Sequence, residues 1–303
     1  NDPPNAPTDS NLDPNSIPED AANDDLVGIM ASATDIDSGD TQTYLLTDDA
    51  GGRFKIDSSS GIVTVRDATL LNHEDAASHA ITVQVEDSQG ATASATFSID
   101  IANVSPSGPT DSDSADNSVA EASAVGTVVG VTASSTDPNG IAGGAGVVYS
   151  ITADTSGGGF KIDASTAVVT VADSSKIDIG NSSVNHTIRV QATDTPTPTA
   201  GPPTYSFAIE VNNVDPTGSI SGPSLASPSE TLHFEFAGDD VSTADRSSLT
   251  CSVNWGDGSP TENLGNCNAA APVSRTHENT AVGGAGVALT IADNYRSVAV
   301  GTA

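Results

Sequence analysis

Positively charged side chains are the scarcest feature of this sequence of 303 residues, which has 9 Lys and Arg against 40 Asp and Glu. The formal net charge is −31. Nucleic acid is excluded as a partner because a phosphate backbone is bound by a basic surface, and an anionic membrane is disfavoured for the same reason. A carboxylate surplus of this size is typical of a solvated acidic surface or of a protein that collects cations.

Aromatic residues and long apolar runs are also scarce. Aromatics make up 4% of the chain, and no stretch approaches the ~18 consecutive apolar residues of a membrane helix, so we expect no membrane insertion within this segment. The chain opens on "NDPPNAP" without a signal peptide, which suggests a linker inside a longer protein. Apolar residues at 36% suffice for several small cores rather than one large core.

Only two cysteines occur, Cys251 and Cys267. Without further Cys or His at close spacing they do not form a zinc site, so a disulfide between them is the better interpretation. A disulfide that closes a loop of this length stabilises the fold by ~3 kcal/mol in the chain-entropy model. It also indicates an oxidising setting, and we therefore expect the chain to be extracellular, either secreted or at the cell surface.

Three motifs recur in the same order about one hundred residues later. "RFKIDSSSGIVTV" (53–65) returns as "GFKIDASTAVVTV" (159–171), "SHAITVQVED" (78–87) as "NHTIRVQATD" (185–194), and "FSIDIANV" (97–104) as "FAIEVNNV" (207–214). That period is too long for a solenoid and suits tandem small domains. We predict two homologous units, residues 1–104 and 105–214, and a third unit of different lineage, residues 215–303.

The repeated motifs alternate apolar and polar residues, as in "AITVQVED", and period-two alternation predicts strands with one buried face. Such runs are separated by Gly, Asp and Ser turns, and "TLHFEFAG" and "VALTIADN" continue the pattern in the third unit. The predicted fold is all-β: three tandem antiparallel Greek-key (Ig-like) β-sandwich domains in an extended rod. "NWGDGSP" predicts a tight turn, with Trp255 packed in the core rather than exposed as a ligand platform.

The loop "ATDIDSGD" (33–40) holds Asp35, Asp37 and Asp40 within eight residues. An EF-hand needs Gly at its sixth position and Glu at its twelfth, where counting from Asp35 gives Asp40 and Leu46, so the loop is not an EF-hand. The sequence also fails to match two catalytic motifs. Neither "HE" dipeptide has the second His of a zinc protease, and GxSxG does not occur. We expect no enzyme activity.

The first unit contains the motifs "IPED", "ATDIDSGD", "LLNHE", "VQVEDSQG" and "IDIANV", and the second contains "SVAEA", "STDPNG" and "QATD". Through these motifs the first two units resemble cadherin-type repeats, particularly the bacterial cadherin-like ones. The third unit resembles a polycystic-kidney-disease (PKD) domain through "VNWGDGSP", "RTHEN" and "LTIADN". The resemblance implies Ca²⁺ bound between consecutive units.

The ligands that the resemblance implies fall into three sets. The leading end of the first unit holds Asp2, Asp35, Asp37 and Asp87. The first junction joins Glu19, Glu74 and Asn103 of the first unit to Asp137, Asn139 and Asp194 of the second. The second junction holds Glu121, Asp178, Asn213 and Asp215, with Asp239, Asp240 and Asp293 as candidate partners in the third unit. The linker "NVSPSG" lacks the family's usual acids, so we expect one or two ions per junction.

The resemblance implies a non-enzymatic structural segment of a large bacterial surface protein, a calcium-rigidified rod for cell–cell or cell–surface adhesion. Its partners would be other domains of the same long chain and either homophilic contacts or a polysaccharide or other cell-surface ligand. Two alternatives stay open. In the first, the segment is a spacer or carbohydrate-binding region of a secreted polysaccharide-degrading enzyme. In the second, it is a subunit of an extracellular filament or surface layer.

Overall fold

A computed structural model describes residues 1–37, 39–138, 146–179, 185–194, 201–224, 227, 229–278, 286–293 and 297–302. The predicted ligand Asn139 lies outside the described residues. Strands dominate the described chain, so the all-β prediction is confirmed. Its helical pieces there are the 3₁₀ turns Ala68–Leu70 and Ser174–Lys176 and one short α-helix, α1, Thr243–Ser248. Among the described residues no helix is long and apolar enough to cross a membrane.

The strands of the first unit build two sheets. They are β1 Thr8–Asp9, β2 Ser16–Pro18, β3 Leu26–Ser32, β4 Thr43–Asp48, β5 Phe54–Ile56, β6 Ile62–Val65, β7 Ser78–Glu86 and β8 Thr92–Ala102. One sheet has the order β1-β3-β6-β5 and the other β2-β8-β7-β4. Their facing apolar side chains, such as Val27 and Val63 from one sheet and Ile81 and Ile99 from the other, form one buried cluster.

The second unit repeats this arrangement. Its strands are β9 Thr110–Asp111, β10 Ser118–Ala120, β11 Val128–Ser134, β12 Val147–Asp154, β13 Phe160–Ile162, β14 Val168–Val171, β15 Asn185–Asp194 and β16 Thr204–Asn212. The sheet orders β9-β11-β14-β13 and β10-β16-β15-β12 match those of the first unit strand for strand. A second buried cluster, which includes Val131, Val169 and Ile188, lies between these sheets.

The third unit has a different strand order. Its strands are β17 Thr217–Ser221, β18 Thr231–Asp239, β19 Thr250–Asn254, β20 Glu262–Gly265, β21 Val273–Glu278, β22 Ala288–Ala292 and β23 Ser297–Thr302. They form the sheets β17-β18-β21 and β20-β19-β22-β23. Cys251 and Cys267 are joined by a disulfide with a Cα–Cα distance of 5.8 Å. Trp255 is 4% exposed and packs on Phe234 and Phe236, which confirms its core position.

Two features differ from the expectation of purely antiparallel β structure. The short strands β2 and β10 pair in parallel with β8 and β16, the last strands of their units. Each parallel pair places the residue that follows the short strand, Glu19 or Glu121, beside the end of the last strand of its unit. The other difference is α1, which interrupts the third unit between β18 and β19 and begins at the N-cap Ser242.

A close backbone approach explains one repeated glycine. Gly28 and Gly130 have φ values of +85° and +78°, and a Cβ atom on either would lie 2.2 Å from a carbonyl oxygen, that of Pro14 or Asp116. Only glycine fits both the left-handed backbone and this contact. The contact holds β3 and β11 against the loop that leads into the short parallel strand, and so supports the position of Glu19 and Glu121.

The described residues form three separate buried clusters. Each cluster draws its residues from one continuous stretch of chain, 17–101, 119–211 or 234–291. The boundaries 1–104, 105–214 and 215–303 stay a prediction.

Candidate metal sites between the units

Carboxylates from the first two units meet where the first unit ends. One oxygen each of Glu19, Glu74 and Asp137 lies within 4.8 Å of the other two. Asp194 is close enough to all three for their charges to raise its pKa. We call these four residues the first acidic cluster. The sequence-based prediction named all four, and the structure brings them together.

Backbone groups position Glu19 at this site. Its Oε1 accepts a hydrogen bond from the backbone N–H of Val104 at 2.7 Å, and its Oε2 accepts one from the N–H of His73 at 2.8 Å. Its own N–H donates to the carbonyl of Ala102, which extends the pairing of β2 with β8. Glu19 is 1% exposed and is therefore held between the linker and the loop that carries Glu74.

Asp194, the last residue of β15, is the most unusual member of the cluster. It is 1% exposed, and neither of its carboxylate oxygens has a hydrogen-bond partner. Burial, reinforced by the charges of Asp137, Glu74 and Glu19, raises its pKa to about 7.

Glu74 is in a similar environment to Asp194. Its Oε1 is buried without a hydrogen-bond partner, and burial, followed by the charges of Glu19 and Asp137, raises its pKa. The predicted linker ligand Asn103 precedes Val104, the donor to Glu19, and its side-chain oxygen is buried. Buried oxygens without donors, such as those of Glu74 and Asp194, are rare in folded proteins, and several at one place indicate a site suited to a cation.

The leading end of the first unit carries a related group, which we call the leading-end cluster: Asp35, Asp37, Asp40 and Asp87. One oxygen each of Asp35, Asp37 and Asp40 lies within 4.8 Å of the others. The backbone N–H of Asp2 donates to Asp37 Oδ2 at 2.7 Å, so the predicted contribution of Asp2 is, in this structure, a backbone contact.

Asp40 is a member that the predicted ligand set lacked. Its Oδ1 accepts from Ser88 Oγ at 2.6 Å and from Gln89 Nε2, while its Oδ2 is buried without a partner. Asp87 Oδ1 accepts from the N–H of Gln89 and its Oδ2 is likewise buried without a partner. Burial alone would raise the pKa of Asp87, but the backbone N–H groups of Gln89 and Ala91 lower it overall.

A third group lies between the second and third units. One oxygen each of Glu121, Asp240 and Asp245 lies within 4.8 Å of the others, and all three residues are buried. We call them the second acidic cluster. Burial is the main cause of the raised pKa of Glu121, which the charges of Asp245 and Asp240 increase further. Asp245, which lies in α1, was absent from the sequence-based set.

The other residues predicted for the second junction have varied partners. Asp178 accepts hydrogen bonds from Ser242 Oγ at 2.5 Å, from Thr243 Oγ1 at 2.9 Å and from the N–H of Thr243 at 3.2 Å. Asn213 Nδ2 donates to Asp293 Oδ2 at 3.4 Å, and Asp215 is exposed. Asp239 pairs with Arg246 at 2.6 Å.

The candidate metal ligands in these clusters are all oxygen atoms. Oxygen ligands fit Ca²⁺ better than zinc or copper, since those metals prefer His and Cys ligands. Calcium takes six to eight oxygen ligands from separate segments of a chain, whereas magnesium keeps several waters and demands near-ideal octahedral geometry. The residues present therefore fit the calcium that the family resemblance implied.

No protein-family model and no curated protein sequence matches this chain. Solved structures that it resembles are fragments of cadherin ectodomains. Human CDH23 EC21-23 is 15% identical with a TM-score of 0.43 and matches over 94% of this chain and 95% of its own. Mouse Cadherin-23 EC22-24 is 20% identical with a TM-score of 0.39, over 97% and 96%. Mouse Protocadherin-24 EC1-3 is 16% identical with a TM-score of 0.37, over 98% and 97%. Each is a similarity of fold, and none assigns a metal or a function to this chain.

Proposed function

We propose that this chain is a non-enzymatic segment of an extracellular adhesive protein, in which calcium bound between units keeps a rod of β-sandwiches extended. The observation that carries the proposal is Asp194, a buried carboxylate with no hydrogen-bond partner among three further carboxylates. The disulfide between Cys251 and Cys267 supports an extracellular setting. The bacterial surface origin stays part of the proposal.

Electrostatics explains why the first acidic cluster needs a cation. Two unit charges 4 Å apart repel by about 1 kcal/mol in water and by about 4 kcal/mol at an effective dielectric constant of 20. The cluster gathers four carboxylates. With 9 Lys and Arg in the whole chain against 40 acids, the protein has little charge of its own with which to neutralise them.

The mechanical effect follows from where the ligands originate. Glu19 and Glu74 belong to the first unit, whereas Asp137 and Asp194 belong to the second, so one bound ion would be shared across the boundary. Without it, repulsion between the two halves of the site favours separation of the units. With it, relative movement would break ligand contacts, and the bound state favours one orientation.

The leading-end cluster resembles the half-site that the second unit contributes, because two of its residues have equivalents there. Asp35 and Asp137 occupy equivalent places, each two residues after a backbone N–H that donates to a tyrosine hydroxyl. The N–H of Ala33 donates to Tyr44 Oη at 3.0 Å, and the N–H of Ser135 donates to Tyr149 Oη at 2.8 Å. Asp87 and Asp194 are equivalent in the repeated motif. We propose that the leading-end cluster shares an ion with a domain that precedes it in the full protein.

Small-angle X-ray scattering tests the proposed function. With calcium the chain is expected to show a longer maximum dimension and a narrower spread of conformations than in EGTA. Substitution of Glu74→Gln together with Asp194→Asn should reduce the difference between the profiles with and without calcium, because the site shared by the first two units is lost. Asp20→Asn, an exposed acid beside Glu19, is the matched control and should respond like the wild type. Identical wild-type profiles in calcium and EGTA would contradict the proposal.

Calcium-free protein is expected to lose stability as pH rises from about 4 to about 7. The pKa of Asp194 is about 7 in the folded chain against an ordinary value of 3.8, so the folded state binds this proton more tightly. That stability is fully present below about pH 4 and is lost as Asp194 ionises. Urea unfolding in EGTA across this range measures the effect.

Calcium affinity, unlike the stability of the calcium-free protein, should rise with pH. With a pKa of about 7, roughly a tenth of Asp194 is ionised at pH 6 and roughly nine tenths at pH 8, so the apparent affinity of the first site should rise about tenfold. Calcium titrations at the two pH values measure this, and Asp194→Asn should remove most of the difference. A wild-type affinity independent of pH would contradict the assigned role of Asp194.

A further inference from the structure

We infer that the second and third units are joined by a clasp that needs no metal ion, in which Asp178 of the second unit accepts hydrogen bonds from Ser242 and Thr243 of the third. The calcium-free chain then bends at the first junction and stays rigid at the second. The inference rests on the proposed function only for the behaviour of the first junction, because the clasp itself consists of contacts between protein groups.

Three hydrogen bonds form the clasp. Asp178 Oδ1 accepts from Ser242 Oγ at 2.5 Å, and Asp178 Oδ2 accepts from Thr243 Oγ1 at 2.9 Å and from the N–H of Thr243 at 3.2 Å. Both carboxylate oxygens are therefore in use, and their donors come from two consecutive residues of the other unit. Hydrogen bonds to a charged acceptor are stronger than those between neutral groups, so these bonds hold the carboxylate without a cation.

The second unit holds its side of the clasp in place through its core. Asp178 lies between Ile177 and Ile179, which are 0% and 1% exposed and belong to the buried cluster of that unit. The backbone at Asp178 cannot move without pulling one of these side chains out of the core. The carboxylate is therefore presented to the third unit from a fixed position.

The third unit fixes its donor in the same way. Ser242 is 0% exposed, and its N–H donates to Asp240 Oδ1 at 2.8 Å. Its Oγ, which donates to Asp178, also accepts the N–H of Asp245 at 3.1 Å as the N-cap of α1. Because both partners are held before they meet, the contact costs little side-chain freedom.

A further hydrogen bond crosses the same junction. Asn213, which follows β16, donates from Nδ2 to Asp293 Oδ2 at 3.4 Å, and Asp293 follows β22 of the third unit. The next residue, Val214, donates its N–H to Glu121 Oε1 at 2.8 Å and so ties this end of the linker to the second unit. The linker and the clasp thus hold the third unit at two places.

The equivalent side chain of the first unit is used differently. Asn72 and Asp178 each stand two residues after a 3₁₀ turn, Ala68–Leu70 in the first unit and Ser174–Lys176 in the second. Asn72 Oδ1 accepts the N–H of Asp75 at 2.8 Å, which is a contact within its own loop. In the part of the chain that the structure describes, the clasp therefore distinguishes the second junction from the first.

The clasp changes what removal of calcium does to the chain. Repulsion within the first acidic cluster frees one hinge, whereas the second and third units continue to move as one body. An ion in the second acidic cluster would add to the clasp, but the clasp does not depend on it. Asp178, which the family resemblance implied as a metal ligand, is thereby assigned to a direct contact between units.

Double electron–electron resonance between spin labels on the full chain tests the inference. Ser206→Cys with Glu235→Cys places labels on either side of the second junction, and Ser98→Cys with Ser206→Cys places them on either side of the first, all at exposed positions. In EGTA the distance distribution should be narrow across the second junction and broad across the first. Calcium should narrow the first distribution and leave the second nearly unchanged.

Substitutions in the clasp should loosen the second junction in EGTA. Asp178→Ala should lower the ratio of clasped to open chains about tenfold or more, because the charged acceptor of three hydrogen bonds is lost. Thr243→Val removes one donor hydroxyl and should have a smaller effect in the same direction. Glu210→Ala, which removes an exposed acid on β16 of the second unit, is the control and should leave the distribution narrow.

The outcomes separate the clasp from a metal site and from the proposed function. A second junction as broad as the first in EGTA overturns the inference. An Asp178→Ala chain that loosens in calcium but not in EGTA also overturns it, since Asp178 would then act as a metal ligand. If calcium does not narrow the first distribution while the second is narrow throughout, the proposed function fails and the clasp stands. Near-UV circular dichroism of Trp255 reports whether the third unit of Thr243→Val is folded, and if it is not, Asp178→Ala in the second unit decides.

Discussion

Removal of calcium with EGTA is expected to lower the melting temperature of this chain by about 10 °C or more. An ion present at about 100 times its dissociation constant stabilises the folded state by ~2.7 kcal/mol per site. In a domain of 60–100 residues each kcal/mol shifts the melting temperature by roughly 4–8 °C. The effect should be confined to units that share a site, because an ion stabilises only the residues that hold it.

Differential scanning calorimetry in calcium, in EGTA and in magnesium measures this shift. Magnesium should restore little of the lost stability, since it binds buried carboxylate groups of this kind poorly and keeps its waters. A melting temperature that does not move between calcium and EGTA would show that the acidic clusters are not calcium sites at the ion concentration used.

The second large effect is a change of sign: calcium should reverse the effect of Asp194→Asn on stability. In EGTA, Asp194→Asn is expected to be more stable than the wild type by at least about 1 kcal/mol, because it removes a buried charge that repels three neighbouring carboxylates. In saturating calcium the same variant should be less stable than the wild type, because most of the ~2.7 kcal/mol from that ion is lost. Few substitutions change sign with a ligand in this way.

Urea unfolding of both proteins in calcium and in EGTA measures the inversion, with Asp20→Asn as the exposed control. A variant that is destabilised in both conditions would mean that Asp194 supports the fold by packing rather than by holding an ion. A variant that is stabilised in both would mean that the cluster repels but binds nothing.

Several parts of the site were accessible from local sequence. Glu19, Glu74, Asp137 and Asp194 stand at the ends of strands or in loops, in motifs that carry the family resemblance, and Asp194 also stands in a motif that recurs within the chain. The acidic loop illustrates the limit of such reasoning. Asp40 was visible in "ATDIDSGD", but only the hydrogen bonds from Ser88 and Gln89, almost fifty residues away, show that it faces the other acids.

Asp245 was beyond reach for a different reason. No repeat unit offers an equivalent position, and a single Asp in "STADRSS" looks like one of many solvated acids. Asp178, 67 residues earlier in the chain, accepts hydrogen bonds from Ser242 and Thr243 at the start of α1, and this contact between distant residues is not visible in the sequence. Parallel pairing of β2 with β8 was missed likewise, because a three-residue strand has no local pattern that states its direction.

The sequence by itself determined the β class, the tandem repeat and the excess of acids, because alternation, recurrence and charge are properties of neighbouring residues and of composition. Tertiary structure alone decided which carboxylates share a site, since that depends on strand ends brought together from distant parts of the chain. A carboxylate that loses its water and gains no donor, as Asp194 does, is not distinguishable in the sequence from the exposed Asp20. Burial makes the difference, and burial is created by the fold.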